Sequence, residues 1–152
     1  MRNYKGTIKF ISIVLFIIYL SFLIYSTFFD SFYGRDVFRR HINIVPFKTI
    51  IKFLTSSSDY DLIVINIVGN VVAFMPMGFF LPIIFTRLKS VLRIFLVSLV
   101  ATLSIEIFQY VFGVGTSDID DVILNVFGGI MGYLVLKIVL KLVSIDEVNN
   151  IK

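Results

Sequence analysis

The sequence has no cysteine among its 152 residues. A disulfide framework, a reactive thiolate and a thiolate-ligated metal centre are therefore excluded. Histidine occurs once, at His41, which excludes H-E-x-x-H and other multi-histidine zinc motifs. Neither G-x-G-x-x-G nor G-x-x-x-x-G-K-[ST] occurs, so both glycine-rich phosphate-binding fingerprints are missing. There is no basic run interleaved with aromatics of the kind that tracks nucleic acid. Charged residues make up only 16% of the chain, against about 25% in an ordinary soluble domain.

Apolar residues fill the space. They amount to 58% of the chain, and the mean hydropathy is +0.97. A small domain buries only about two-thirds of its surface, so a soluble chain of this size has nowhere to hide so much apolar area. A water-soluble enzyme, a disordered tail and a fibrous repeat are excluded. The length suits one compact unit, taken as residues 1–152. The net charge of +4 comes from 14 Lys plus Arg against 10 Asp plus Glu. In so apolar a chain it points to anionic lipid headgroups and not to nucleic acid.

A bilayer core about 30 Å thick is crossed by about 20 apolar residues in helix. Four runs meet that length: residues 8–29, 62–85, 90–112 and 121–143. The predicted fold is an all-α polytopic membrane protein, a bundle of four transmembrane helices plus one short interfacial amphipathic helix. The first run exceeds the signal-peptide h-region of about 7–15 residues, and no A-x-A-like site follows it. It is read as a retained anchor. Pro46 suits the first turn of a helix. Phe47, Ile50, Ile51 and Leu54 follow at helical spacing, with Lys48 and Lys52 on another face, the pattern of a helix lying in the interface. Serines at 56–58 form a polar break before the second span. No internal repeat is evident.

Four spans place both termini on one side, and Lys and Arg choose the side. Arg2, Lys5, Lys9, Arg87, Lys89, Arg93, Lys137, Lys141 and Lys152 share one face; Arg35, Arg39, Arg40, Lys48 and Lys52 share the other. The balance predicts cytoplasmic termini, with the long first loop, residues 30–61, pulling the other way.

Polar side chains at bilayer depth are costly and face the bundle interior. At a rise of about 1.5 Å per residue, Asn66, Asn70, Glu106, Gln109 and Asn125 all fall within roughly 12 Å of one membrane face. That face carries the acidic turn with Asp118, Asp120 and Asp121. Asn66, Asn70, Ala73 and Met77 form one helical stripe; Glu106, Gln109 and Tyr110 form a second; Asp121, Asn125, Gly128 and Gly132 form a third. Gly128 and Gly132 stand at the G-x-x-x-G spacing that lets helices approach closely. Spans two, three and four are therefore expected to pack together, their polar stripes meeting in a pocket that opens outward. The candidate binding residues are Asn66, Asn70, Glu106, Gln109, Asp118, Asp120, Asp121, Asn125, Arg39 and Lys48. The candidate catalytic groups are Glu106, Asp118 and Asp121.

Each feature also has a plain structural reading. The asparagines can serve as interhelical hydrogen-bond partners. The aspartates can cap the fourth helix, whose positive dipole end favours acids. Pro76 can kink the second span and free a carbonyl. Arginines at 35, 39 and 40 can be solvated loop charges, although arginine suits phosphate.

Four blocks of the sequence resemble the VanZ-like family of small bacterial membrane proteins. They are Asn43-Ile44-Val45-Pro46-Phe47-Lys48-Thr49-Ile50; Asn66-Ile67-Val68-Gly69-Asn70 through Phe74-Met75-Pro76 to Pro82; Ser104-Ile105-Glu106-Ile107-Phe108-Gln109; and Asp118-Ile119-Asp120-Asp121 to Asn125, followed by Gly128-Gly129 and Gly132-Tyr133. Their order and spacing match over roughly residues 43–135. Many members carry an arginine between the third span and the acidic block; this chain has Gly113-Val114-Gly115-Thr116-Ser117 there. The resemblance implies a link to glycopeptide resistance, chiefly to teicoplanin, and carries no settled catalytic residues.

Three functions fit the residues. The first binds or alters an envelope lipid or lipid-linked cell-wall precursor at the outer leaflet, with Lys48, Lys52 and Arg39 meeting phosphate. The second is a membrane-embedded enzyme on a lipid headgroup. Glu106 would be its general base, and the aspartates are hard oxygen donors of the kind that hold magnesium or calcium. The third is a proton-linked carrier or accessory subunit. No cofactor is expected and no metal ligand set is assigned. The expected partners are the bilayer and a lipid-linked precursor or the glycopeptide itself.

Overall fold

A computed structural model describes residues 2–28, 42–55, 64–114 and 117–149. Arg35, Arg39, Arg40, His41 and the serines at 56–58 lie outside the described residues. The elements run in the order α1 (Arg2–Phe28), β1 (Ile42–Asn43), α2 (Lys48–Thr55), a π-helical turn (Val64–Val68), α3 (Gly69–Ile84), α4 (Val91–Phe112), β2 (Ser117–Asp118) and α5 (Ile119–Asn149). Among the described residues, four helical stretches are long and apolar enough to cross a membrane: Gly6–Phe28, Asn66–Ile84, Val91–Phe112 and Ile119–Ser144. The chain is an all-α, multi-pass membrane protein. Its exterior agrees: Phe10, Phe22, Leu92, Val100 and Phe112 are all strongly exposed, which hydrocarbon tolerates and water does not.

Local chemistry sets the helix ends. Ser90, in extended conformation, accepts the N–H of Arg93 and caps α4. Gly113 closes the same helix with φ 66°, a left-handed C-cap for which glycine is suited. Helix α5 begins at Ile119 and not at Asp121, because Asp118 stands at its N-cap and accepts the N–H of Asp120 at 2.9 Å. Pro76 and Pro82 both lie inside α3 without ending it.

Helix α5 is the centre of the bundle, packing most extensively on α3 and next on α4. The close approach to α3 follows from glycine. A Cβ at Gly128 or Gly132 would strike the backbone of Val71 or Met75, and one at Gly78 would strike Gly129. In hydrocarbon this backbone proximity does the work that the hydrophobic effect does in water. Helix α1 packs on α3, where the Tyr19 hydroxyl donates to the Ala73 carbonyl at 2.8 Å. The core comprises Leu23, Phe74, Met77, Leu81, Ile94 and Tyr133.

Candidate functional site

The acidic turn and the first loop meet at one end of the bundle. The meeting begins with a two-residue parallel ladder in which Ile42 pairs with Ser117 and Asn43 with Asp118. Neither strand was legible in the hydrophobic pattern, since two residues are too short to show alternation.

Side chains then lock the junction. The Asn43 amide donates to Asp118 at 3.0 Å and to the Thr49 hydroxyl at 3.1 Å, and that hydroxyl donates to the other Asp118 oxygen at 2.5 Å. Asp120 is fully buried. One of its oxygens accepts the N–H of Phe47 at 2.5 Å, and the other accepts those of Thr49 at 2.7 Å and Ile50 at 3.1 Å. The first N–H groups of a helix lack partners within it. Asp120, from the first turn of α5, supplies them for α2 and adds a negative charge at its positive end. Glu106 closes the cluster from α4 by accepting the Asp118 N–H at 2.9 Å. Glu106, Asp118 and Asp120 are thus brought together with Asn43 and Thr49.

Helix α2 is held so that Phe47, Ile51 and Leu54 remain exposed, as do Lys48 and Lys52. The helix begins at Lys48; Pro46 and Phe47 form the turn before it. Phe47 adopts φ 63°, a conformation that is uncommon for a bulky side chain.

The other candidates lie on separate contacts. The Asn70 amide donates to Asp121 at 2.7 Å, joining α3 to α5; both residues are half-buried. Asn66 is half-buried within the π-helical turn just before α3. Asn125 is buried and donates to the Thr102 hydroxyl at 2.9 Å, while its carbonyl oxygen and the Ser98 hydroxyl are buried with no hydrogen-bond partner. Gln109 reaches the Thr27 carbonyl of α1 at 3.4 Å, and Tyr110 is exposed. Among the described residues, no three His, Asp or Glu side chains are grouped to hold a metal ion. All four carboxylate oxygens of Asp118 and Asp120 accept protein donors instead.

Two members of the cluster, Asn43 and Thr49, were not candidates on sequence grounds. The available signal was position: Thr49 lies in the first turn of the amphipathic helix, where a hydroxyl competes for backbone and capping partners. Thr102 was missed because a lone threonine in an apolar span carries no periodic signal.

A helical bundle whose interior is polar at one end, with a short helix pinned there by buried carboxylates, defines a polytopic membrane protein with a polar junction built at one end of its bundle. The chain belongs to the VanZ/LLP1 family, whose model matches residues 16–140. It is 33% identical over 128 residues to Protein VanZ of Enterococcus faecium, an alignment covering 82% of this chain and 72% of that protein. No solved structure matches this chain.

Proposed function

We propose that the protein works at the outer leaflet of the bacterial cytoplasmic membrane. There it binds or alters an envelope lipid or lipid-linked cell-wall precursor and lowers susceptibility to teicoplanin-type glycopeptides. The observation that carries this reading is the docking of α2 on α5. Thr49 is bonded to both Asp118 and Asp120, which fixes the adjacent Lys48 at the junction. Asp121, next to Asp120, is held by Asn70. A cation, a carboxyl and an amide are thereby anchored around one end of the bundle, beside an exposed apolar helix face. Such a set suits a headgroup bearing phosphate and sugar or amine functions, with its lipid tail left in the bilayer. Asp118 and Asp120 are positioning residues in this account; Lys48, Asn70 and Asp121 are the contacts offered to ligand. Family membership supports the link to glycopeptide resistance.

The test is expression in a susceptible host with separate teicoplanin and vancomycin challenge. Wild type is expected to raise the inhibitory concentration of teicoplanin, and Lys48→Gln and Asp121→Asn to reduce that rise at equal membrane abundance. No rise with wild type, or an undiminished rise with both variants, refutes the reading.

A further inference from the structure

A second feature lies at the opposite end of the bundle. Where α1, α3 and α4 diverge, they leave an open groove of about 610 Å³, within the range of small-molecule sites. Its walls are Leu81 and Ile84 at the end of α3, Leu88 in the turn and Val97 on α4; Lys9 of α1 and Arg87 of the turn line it as well. Both basic residues are exposed, as are Lys89 and Arg93 nearby. The Arg93 guanidinium donates to the Arg87 carbonyl, drawing another positive group to the turn. Among the described residues, no acidic side chain lines the groove.

We infer that this groove seats one anionic phospholipid of the surrounding bilayer, its phosphate on Lys9 and Arg87 and an acyl chain along Leu81, Ile84, Leu88 and Val97. The argument is charge complementarity joined to shape. Leu81 and Ile84, each only 7% exposed, floor the groove, and the half-buried Leu88 and Val97 give an acyl chain its wall. Lys9 stands within the first turn of the apolar span of α1, where a lysine stem packs on hydrocarbon and its head reaches for the interface. Arg87 leaves the end of α3, whose last carbonyls favour cations. A guanidinium presents paired donors that match phosphate geometry. A zwitterionic lipid brings its own cation to the same place and loses much of the attraction. The seat lies far from the acidic junction and does not depend on the ligand proposed there. Its consequence is structural: a lipid bridging Lys9 and Arg87 would fasten α1, otherwise packed mainly on α3, to the turn before α4.

The experiment uses the full chain purified in detergent and incubated with equal amounts of dioleoyl phosphatidylglycerol and dioleoyl phosphatidylcholine, with bound lipid read by native mass spectrometry. Wild type is expected to retain phosphatidylglycerol in preference. Lys9→Gln and Arg87→Gln should each weaken that retention about fivefold, the effect of removing one interfacial basic residue. Lys141→Gln, on the exposed face of α5, should leave it unchanged. Val97→Trp should reduce retention of both lipids by filling the groove. Photo-crosslinking of wild type with acyl-diazirine phosphatidylglycerol provides a readout independent of any variant's folding. Adducts at Leu81, Leu88 or Val97 are expected. Equal retention of both lipids by wild type, a Lys141→Gln loss matching that of Arg87→Gln, or adducts spread evenly over Phe22 and Val100 would overturn the inference.

Discussion

Asp120 and Phe47 stand 73 positions apart in the chain, yet a carboxylate oxygen of the first accepts the backbone N–H of the second at 2.5 Å. Phe47 holds φ 63°, a backbone state that costs about 1–3 kcal/mol outside glycine. The strain is local and its compensation is not: it comes from the first turn of α5, which accepts two further N–H groups from α2. The orientation of the short helix is therefore written into a transmembrane helix.

Asp120→Ala removes that acceptor from three N–H groups. These donors are part-buried, so losing their charged acceptor costs up to about 1–3 kcal/mol, the penalty of an unpaired buried donor. The expected result is release of α2 while the spans stay folded. Hydrogen exchange in detergent checks it: the amides of Phe47, Thr49 and Ile50 should exchange faster, and those of Phe74 and Ile94 should not. Unchanged exchange at Thr49 would show that the cap does not hold the helix.

The spans were legible because a single physical demand, backbone satisfaction in hydrocarbon, forces long apolar helices. Gly128 and Gly132 were legible for a related reason, since close packing in lipid selects small residues at fixed spacing. The junction was only partly so. The acidic turn announces itself as costly polarity, but which donor each aspartate takes depends on residues some 70 positions away, such as Phe47 and Thr49. Helical phase placed Asn70, Glu106 and Asn125 in the bundle interior. It did not tell that Asn125 turns to Thr102 on α4 while Asp121, one helical turn earlier, turns to Asn70 on α3. Nor did it show the π-helical turn that carries Asn66, because such turns break the period on which the reading relies.

Gly132→Val tests the α3–α5 contact. The added branches would meet the Met75 backbone, which cannot yield as a flexible side chain does. Overpacking costs about 1–3 kcal/mol and sometimes more. A lower midpoint of thermal unfolding in detergent is expected. Gly69→Ala, where an added Cβ meets nothing, is expected to be neutral or mildly stabilising.

Thr49 and Asp118 offer a coupling test. Their bond, 2.5 Å between hydroxyl and carboxylate, is shared with Asn43 in a partly buried cluster. Removing either partner leaves the other short of a bond, so the two losses cannot add. A cycle of Thr49→Val, Asp118→Asn and the double variant should give an interaction energy of about 1 kcal/mol or more, read from unfolding midpoints. Additive losses would mean that the two groups act independently.

The absence of native cysteine makes orientation directly measurable, because an introduced thiol is the only one present. The pairing of β1 with β2 places the first loop and the α4–α5 turn at one end, and the groove shared by Lys9 and Arg87 places the start of α1 with the α3–α4 turn. One reporter at each end therefore decides the topology. Ile44 is 77% exposed beside the junction, and Thr86 is exposed in the α3–α4 turn. With the basic majority inside, Ile44→Cys should react with a membrane-impermeant maleimide in intact cells, and Thr86→Cys only after permeabilisation. The reverse pattern would leave the helical bundle untouched but turn the Lys48–Asp121 end toward the cytoplasm, and the outer-leaflet function would fail with it.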